Sequence, residues 1–369
     1  MPLIDIFRSK AQQRFWAPFP QDHVMGGSAA APIDKNQAYF ILRIKEMYVA
    51  YSRRLWRKLY PMLHSFVEHG QSQENAIAGP GQLRELGDSN LDRIVNLNYR
   101  LAGPTPFSGE DLSILVGLYS VPGQGAAKAL IDTVASVATL GGVALGSAVQ
   151  IAQTVKRGVE SILGLDGSQL ALGVRDTINA GQPLRSGYYL AVSAPASDVD
   201  FSKLWLTDGR LVHGQDPIAA ARSPYQDYDY LVLEVERRDT RDDWPSLPGI
   251  SEFQDQFAAI MVDHQTSVDE KKNRLKELWP RFRAALDTSR LLTVPDRETI
   301  AHSVSQDLVN RLDRIKNGNP FETRSWGDSR QRAVSPAEFD FVDVAIYTNR
   351  SDSESLRRAR EALSGNPFE

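Results

Sequence analysis

The residues able to do chemistry in this chain are carboxylates, hydroxyls and histidines, because it contains no cysteine. That excludes disulfides, a thiol nucleophile and any thiolate metal site. The carboxylates gather in three places: Asp198 with Asp200, Asp227 with Asp229, and Asp239 with Asp242 and Asp243. Loops at one end of a β-sandwich can converge such groups on calcium, which takes several oxygen ligands. Asp also favours turns for a local reason, since its side chain bonds the nearby backbone. These aspartates are the candidate metal ligands, set against the plainer reading of solvated turns. No cofactor is expected.

Histidine chemistry has little support. His23, His64, His69, His213, His264 and His302 include no pair at the i, i+4 spacing that puts two imidazoles on one helix face. Ser65 adjoins His64, but neighbours on a strand point to opposite faces. No Gly-x-Ser-x-Gly elbow occurs. The stretch Gly123, Gly125, Lys128 fails as a phosphate loop because Ala129 stands where a hydroxyl residue is needed. It reads as a plain helix start.

Arg43, Lys45, Arg53, Arg54, Arg57 and Lys58 surround Tyr48, Tyr51, Trp56 and Tyr60. Basic groups neutralise phosphates and aromatics stack on bases, and a membrane surface attracts the same charges. A net charge of -4 excludes a globally basic nucleic-acid binder. The plainer reading is the wet face of a strand pair, so nucleic acid is not an expected partner.

Residues 133–155 carry no charge at all, and Lys156 and Arg157 follow. Small residues recur four apart at Ala138, Gly142 and Gly146, and at Ala144, Ala148 and Ala152, which lets helices approach closely. The length suits a bilayer of ~30 Å. Against that, Gly141 and Gly142 split the run, and Thr, Ser and Gln dilute it. The expectation is a helical hairpin over 124–164 that packs against protein, with Val143 and Val149 on the partner-facing surface. Membrane insertion is the alternative.

The peptide Gly318-Asn319-Pro320-Phe321-Glu322 returns as Gly365-Asn366-Pro367-Phe368-Glu369. Gly followed by Pro is a common helix stop, yet two identical pentapeptides exceed what stopping requires. Asn319, Pro320 and Phe321, with Asn366, Pro367 and Phe368, are expected to bind a partner through the Phe anchor. Two copies on one chain raise avidity through effective concentration.

The elements that must position these residues follow from pattern. At 369 residues, with 42% hydrophobic and 24% charged, the chain is globular and long enough for two to three domains. Strand patterns fall at 39–44, 94–101 and 112–121, then at 170–174, 187–192, 204–206, 211–212 and 230–235. Residues 47–69 are ambiguous. Met47, Tyr51, Leu55, Leu59 and Leu63 recur at helical spacing, while Pro61 and the alternation over 59–68 favour a strand. Gly103-Pro104-Thr105-Pro106 reads as a turn, and Asp208-Gly209 as a two-residue hairpin loop. The run from Arg241 to Trp244 and Pro245 is expected to close the sandwich. Helical stripes follow: Phe253, Phe257, Ile260; a capping box at Ser267 and Glu270, then Leu275, Leu278, Phe282, Leu286 with a kink at Pro280; and Ile300, Val304, Leu308, Leu312, Ile315.

The expected fold is α+β: an antiparallel β-sandwich-like domain with an inserted helical hairpin, followed by a small helical bundle and a C-terminal extension. The expected domains are a flexible N-terminal arm (1–36) with Phe15, Trp16 and Phe19 free to dock, the β domain (37–248), the bundle (249–318) and a tail with a short strand and helix (319–369). The start lacks a secretory signal and the ends lack lipidation motifs, so a cytoplasmic location is expected. The expected function is a non-enzymatic assembly or adaptor subunit of a bacterial multiprotein complex, such as a defence or secretion-type system. Its partners would be other protein subunits or further copies of itself. A membrane-active, pore-forming effector is the second reading, and a metal-dependent enzyme built on the Asp-rich loops the third.

Overall fold

The structure, a computed structural model, describes residues 15–26, 30–50, 53–54, 57–58, 60–70, 72–78, 94–121, 169–179, 181–216, 218 and 223–317. The expected hairpin at 124–164, both copies of the pentapeptide and the tail lie outside the described residues. What is described is mixed α+β, with mostly antiparallel sheets and three helices. Two compact units divide between Arg238 and Asp239, with residues 36–38 belonging to the second.

The strands are β1 (Phe15–Pro18), β2 (Val24–Met25), β3 (Tyr39–Tyr48), β4 (Arg53–Arg54), β5 (Arg57–Lys58), β6 (Tyr60–His69) and β7 (Ser72–Ala78). They continue as β8 (Ile94–Pro106), β9 (Leu112–Val121), β10 (Gln169–Thr177), β11 (Gly187–Val192), β12 (Leu204–Thr207), β13 (Arg210–His213) and β14 (Tyr230–Arg238). A five-stranded sheet runs β1-β11-β14-β3-β8, a four-stranded sheet β10-β9-β6-β7, and a three-stranded sheet β13-β12-β2, with β4 and β5 forming a ribbon. Every pairing is antiparallel except β2 with β12. Antiparallel ladders suit the short strands and turn residues of this sequence.

Within the ambiguous stretch, Tyr60–His69 is strand: β6 pairs with β7 and β9. Pro61 lies near its start, beyond the last pairing with β7 at Leu63, a position where proline is tolerated. The turn expected at 103–106 is instead the end of β8. This strand is the edge of its sheet, where a missing proline N–H leaves no central ladder bond unmade. Only glycine fits at Gly103. Its φ is +87°, and a Cβ there would lie 2.3 Å from the Phe40 carbonyl oxygen.

Part of the expected arm is also strand. β1 pairs with β11 from Phe15↔Val192 to Pro18↔Tyr189. Its aromatics are fastened to their own chain: Trp16 stacks on Tyr189 at 5.4 Å, and Phe15 and Phe19 meet Phe201 at 4.9 and 5.3 Å. The Asp208-Gly209 loop forms as its composition predicts. Both residues have positive φ, 52° and 73°, and Thr207 pairs with Arg210 across them.

The second unit contains α1 (Ser251–Val262), α2 (Val268–Thr288) and α3 (Val294–Lys316). The apolar stripes read from the sequence form its core, with Phe253, Phe257, Leu275, Phe282, Ile300, Val304 and Leu308 buried. Ser267 caps α2 by accepting the Glu270 N–H at 3.3 Å, and Thr293 caps α3 through Asp296 at the same distance. Pro280 lies inside α2, which continues through it. Trp244 belongs to the core of the helical unit. The Arg241–Asp243 fork that precedes it forms as two bonds of 2.5 and 3.0 Å. Among the described residues no helix is long and apolar enough to cross a membrane.

Lys271 on α2 is buried, and its Nζ donates to the carbonyls of Ile260, Met261 and Asp263 at 2.7, 3.1 and 2.5 Å. A helix leaves its last carbonyls without internal donors, and one ammonium here serves three of them. Lys271→Met keeps the stem and removes the donors. It should destabilise the protein by about 1–3 kcal/mol, read as a lower urea midpoint.

Candidate functional site

The β3–β14 ladder slips by one residue. Val232 pairs with Glu46 and Leu233 with Ile44, which leaves Lys45 as the extra residue. A bulge of this kind re-aims side chains. Both Lys45 and Glu46 approach the β12–β13 hairpin. A Cβ on Gly209 would lie 3.0 Å from Lys45 Cε, and Glu46 Oε2 accepts the Leu211 N–H at 2.7 Å. The same oxygen accepts the Tyr230 hydroxyl at 2.9 Å. Tyr230 in turn packs on Tyr48 and Tyr225, with ring centroids 5.5 and 5.7 Å away.

Glu46 is 2% exposed. Burial raises its pKa to about 7, against the opposing pull of the Leu211 and Tyr230 bonds and of the Arg210 charge. Burial also lifts Tyr230 well above the usual phenol range, and the neighbouring Glu46 adds to it. The group therefore joins three strands, β3, β13 and β14, through one carboxyl oxygen.

A second buried titratable group closes the far end of β6. His69 Nε2 accepts the Ser108 N–H at 3.0 Å, and Ser108 Oγ lies 3.0 Å from the same nitrogen. The imidazole stacks on Phe107 at 5.3 Å and meets the edge of Phe40 at 4.9 Å. Burial lowers its pKa, which favours the neutral ring that can accept. The hydroxyl-to-imidazole distance is that of a nucleophile and its base. Here, however, the backbone N–H of the same serine already occupies the nitrogen's lone pair. The contact fastens the loop after β8 to the end of β6. Glu74 on β7 makes a similar joint, accepting the Gly103 N–H at 3.0 and 3.1 Å and the Thr105 hydroxyl at 3.1 Å.

The aspartates named from the sequence are divided between the two units. Asp198, Asp200, Asp227 and Asp229 lie in the first unit, and Asp239, Asp242 and Asp243 in the second. Asp198 accepts from Ser197 at 2.8 Å. Asp200 caps a short turn through the Ser202 N–H and pairs with Lys203 at 2.8 Å. The Lys203 and Ser202 bonds hold its pKa down at about 2. Asp229 Oδ1 accepts the Ala50 N–H at 2.7 Å. The Asp227 charge adds to the burial that raises the Tyr225 pKa. Asp243 is held in the Arg241 fork. Among the described residues no three His, Asp or Glu side chains are grouped to hold a metal ion. Val143, Val149, Asn319, Pro320, Phe321, Asn366, Pro367 and Phe368 lie outside the described residues.

Glu46, His69 with Ser108, and Glu74 were not legible as a set. No local signal marked Glu46, since β3 also carries the charged Arg43 and Lys45. No family model matches the chain, and no curated protein matches it.

The Asp229 bond reaches across 179 positions of sequence, whereas the Asp198 carboxylate accepts from the adjacent Ser197. Asp229→Ala strands a backbone N–H and should lower stability by about 1–3 kcal/mol. Asp198→Ala should stay within about 0.5 kcal/mol. Paired guanidinium titrations of the two variants check the contrast.

Proposed function

We propose that this protein is a non-enzymatic assembly or adaptor subunit of a multiprotein complex of bacterial type, such as a defence or secretion system, working in the cytoplasm. In this reading the sheets form a sandwich-like frame, the 124–164 segment makes the main protein contact through residues such as Val143 and Val149, and the two Asn-Pro-Phe-Glu peptides act as tethers.

The observation that carries it is where the uncharged stretch is attached. β9 ends at Val121 and β10 begins at Gln169, and these strands are hydrogen-bonded neighbours with Gln169 opposite Ser120. The whole of 122–168 therefore leaves and rejoins one sheet at adjacent points. A contact segment held at both ends by a ladder loses less freedom on docking than one carried by a single strand. Polar side chains of the first unit support the same reading, because Glu46, Glu74 and His69 all serve as strand joints. A membrane-active effector is the second reading. It is favoured by the uncharged run itself, since 133–155 contains no Asp, Glu, Lys or Arg.

Truncation after Gly318 should reduce partner recovery in affinity purification severalfold while the melting temperature of the remaining protein is retained. Undiminished recovery overturns the tether. Liposome leakage separates the two readings. The membrane reading expects dye release that Val143→Asp or Val149→Asp abolishes, and the adaptor reading expects none from the unaltered protein.

A further inference from the structure

We propose that Glu46 is a proton-operated latch that seats the β12–β13 hairpin on the five-stranded sheet, closed when its carboxyl is neutral and loosened when it ionises.

The seat is apolar. Leu204, Leu206 and Leu211 of the hairpin pack with Leu190, Val192, Tyr230 and Val232 of the sheet and with Phe19. Into this surface the hairpin sends the Leu211 N–H, which ends on Glu46 Oε2. The Tyr230 hydroxyl ends on the same atom. A neutral carboxyl meets both demands, because its carbonyl oxygen has two lone pairs while the other oxygen carries the proton. Ionisation adds a charge to a surface that solvates it poorly. Opening the hairpin returns that charge to water.

Among the described residues no charged group forks the latch. On β3, Lys45 is paired with Glu234 of β14 at 3.3 Å and donates to Asn98 of β8 at 3.1 Å. On β13, Arg210 acts on Glu46 as a nearby charge, and Asp208 precedes it in the hairpin loop. The phenol bonded to the group is Tyr230, and Tyr48 and Tyr225 pack on the Tyr230 ring. Two histidines touch the hairpin assembly. His23 Nδ1 lies 2.8 Å from the Leu204 carbonyl oxygen, and the His213 ring lies 6.5 Å from Tyr225.

The sign follows from the direction of the shift. An exposed glutamate ionises near 4.5 and the buried one near 7. Between those values opening releases a proton, so the closed seat is strongest below the lower value. It weakens as pH rises toward the upper one, then levels off.

The test is hydrogen exchange of the full-length protein at the Leu211 amide, corrected for intrinsic rate, from pH 5 to pH 8.5. Protection should fall by up to tenfold per pH unit as pH rises toward about 7, then flatten. Glu46→Gln keeps an acceptor that cannot ionise and should abolish that fall. His23 and His213 are unchanged in this variant, so the difference belongs to Glu46. Tyr230→Phe keeps the carboxyl and should show lower protection with the pH dependence retained. A flat profile in the unaltered protein overturns the latch, as does an undiminished pH dependence in Glu46→Gln or a flat profile in Tyr230→Phe.

Discussion

A polar group placed in an apolar interior must find a partner there, and this constraint organises the first unit. An unpaired buried donor or acceptor costs about 1–3 kcal/mol, a large part of a typical domain's stability. The strand joints meet that demand with side chains where ladders end. Glu46 receives the Leu211 N–H from β13. Glu74 receives the Gly103 N–H at the slip in β8. Asn179 accepts the Leu112 N–H at 2.8 Å, where β9 begins. Asp229 receives the Ala50 N–H just past β3. In each case a carbonyl or carboxylate oxygen takes up a backbone donor at the margin of a strand or where its register breaks.

The helical unit answers the same constraint with different groups. Two of its three described helix starts are capped, by Ser267 and Thr293, and one helix end is closed by Lys271. Asp296, buried at the start of α3, accepts the Arg241 N–H at 3.0 Å. The carboxylate also suits the positive end of that helix. Phe282 then gathers Phe253, Phe257 and Trp279 at 5.3–5.6 Å, so capping fixes the helix ends while aromatic packing fills the space between them.

What could be read in the sequence was whatever is local. The Asp208-Gly209 loop, the Ser267 cap and the stripe from Ile300 to Leu312 each rest on spacing within a few residues, and each appears in the structure. The end of β8 was misread for a related reason. Gly103-Pro104-Thr105-Pro106 has the composition of a turn, and only its place on a sheet edge makes it a strand. The strand at Phe15–Pro18 was missed because so short a segment carries no periodicity of its own; its partner β11 defines it.

The buried polar joints were illegible because distance in sequence hides them. Glu46 and Tyr230 stand 184 positions apart, and His69 and Ser108 stand 39 apart. Nothing local distinguishes Glu46 from a solvated strand glutamate until the β3 bulge turns it under the hairpin. The three aspartate clusters show the converse. They were conspicuous because they are locally dense, and local density is what turns produce on their own. Asp200 illustrates the point, since its partners Ser202 and Lys203 lie within three residues. Glu46 and Glu74, which join distant strands, are solitary in sequence, while Asp229 reaches Ala50 from within a locally dense pair. A search for paired acids therefore finds Asp229 and the turns, and passes over Glu46, whose pKa burial raises.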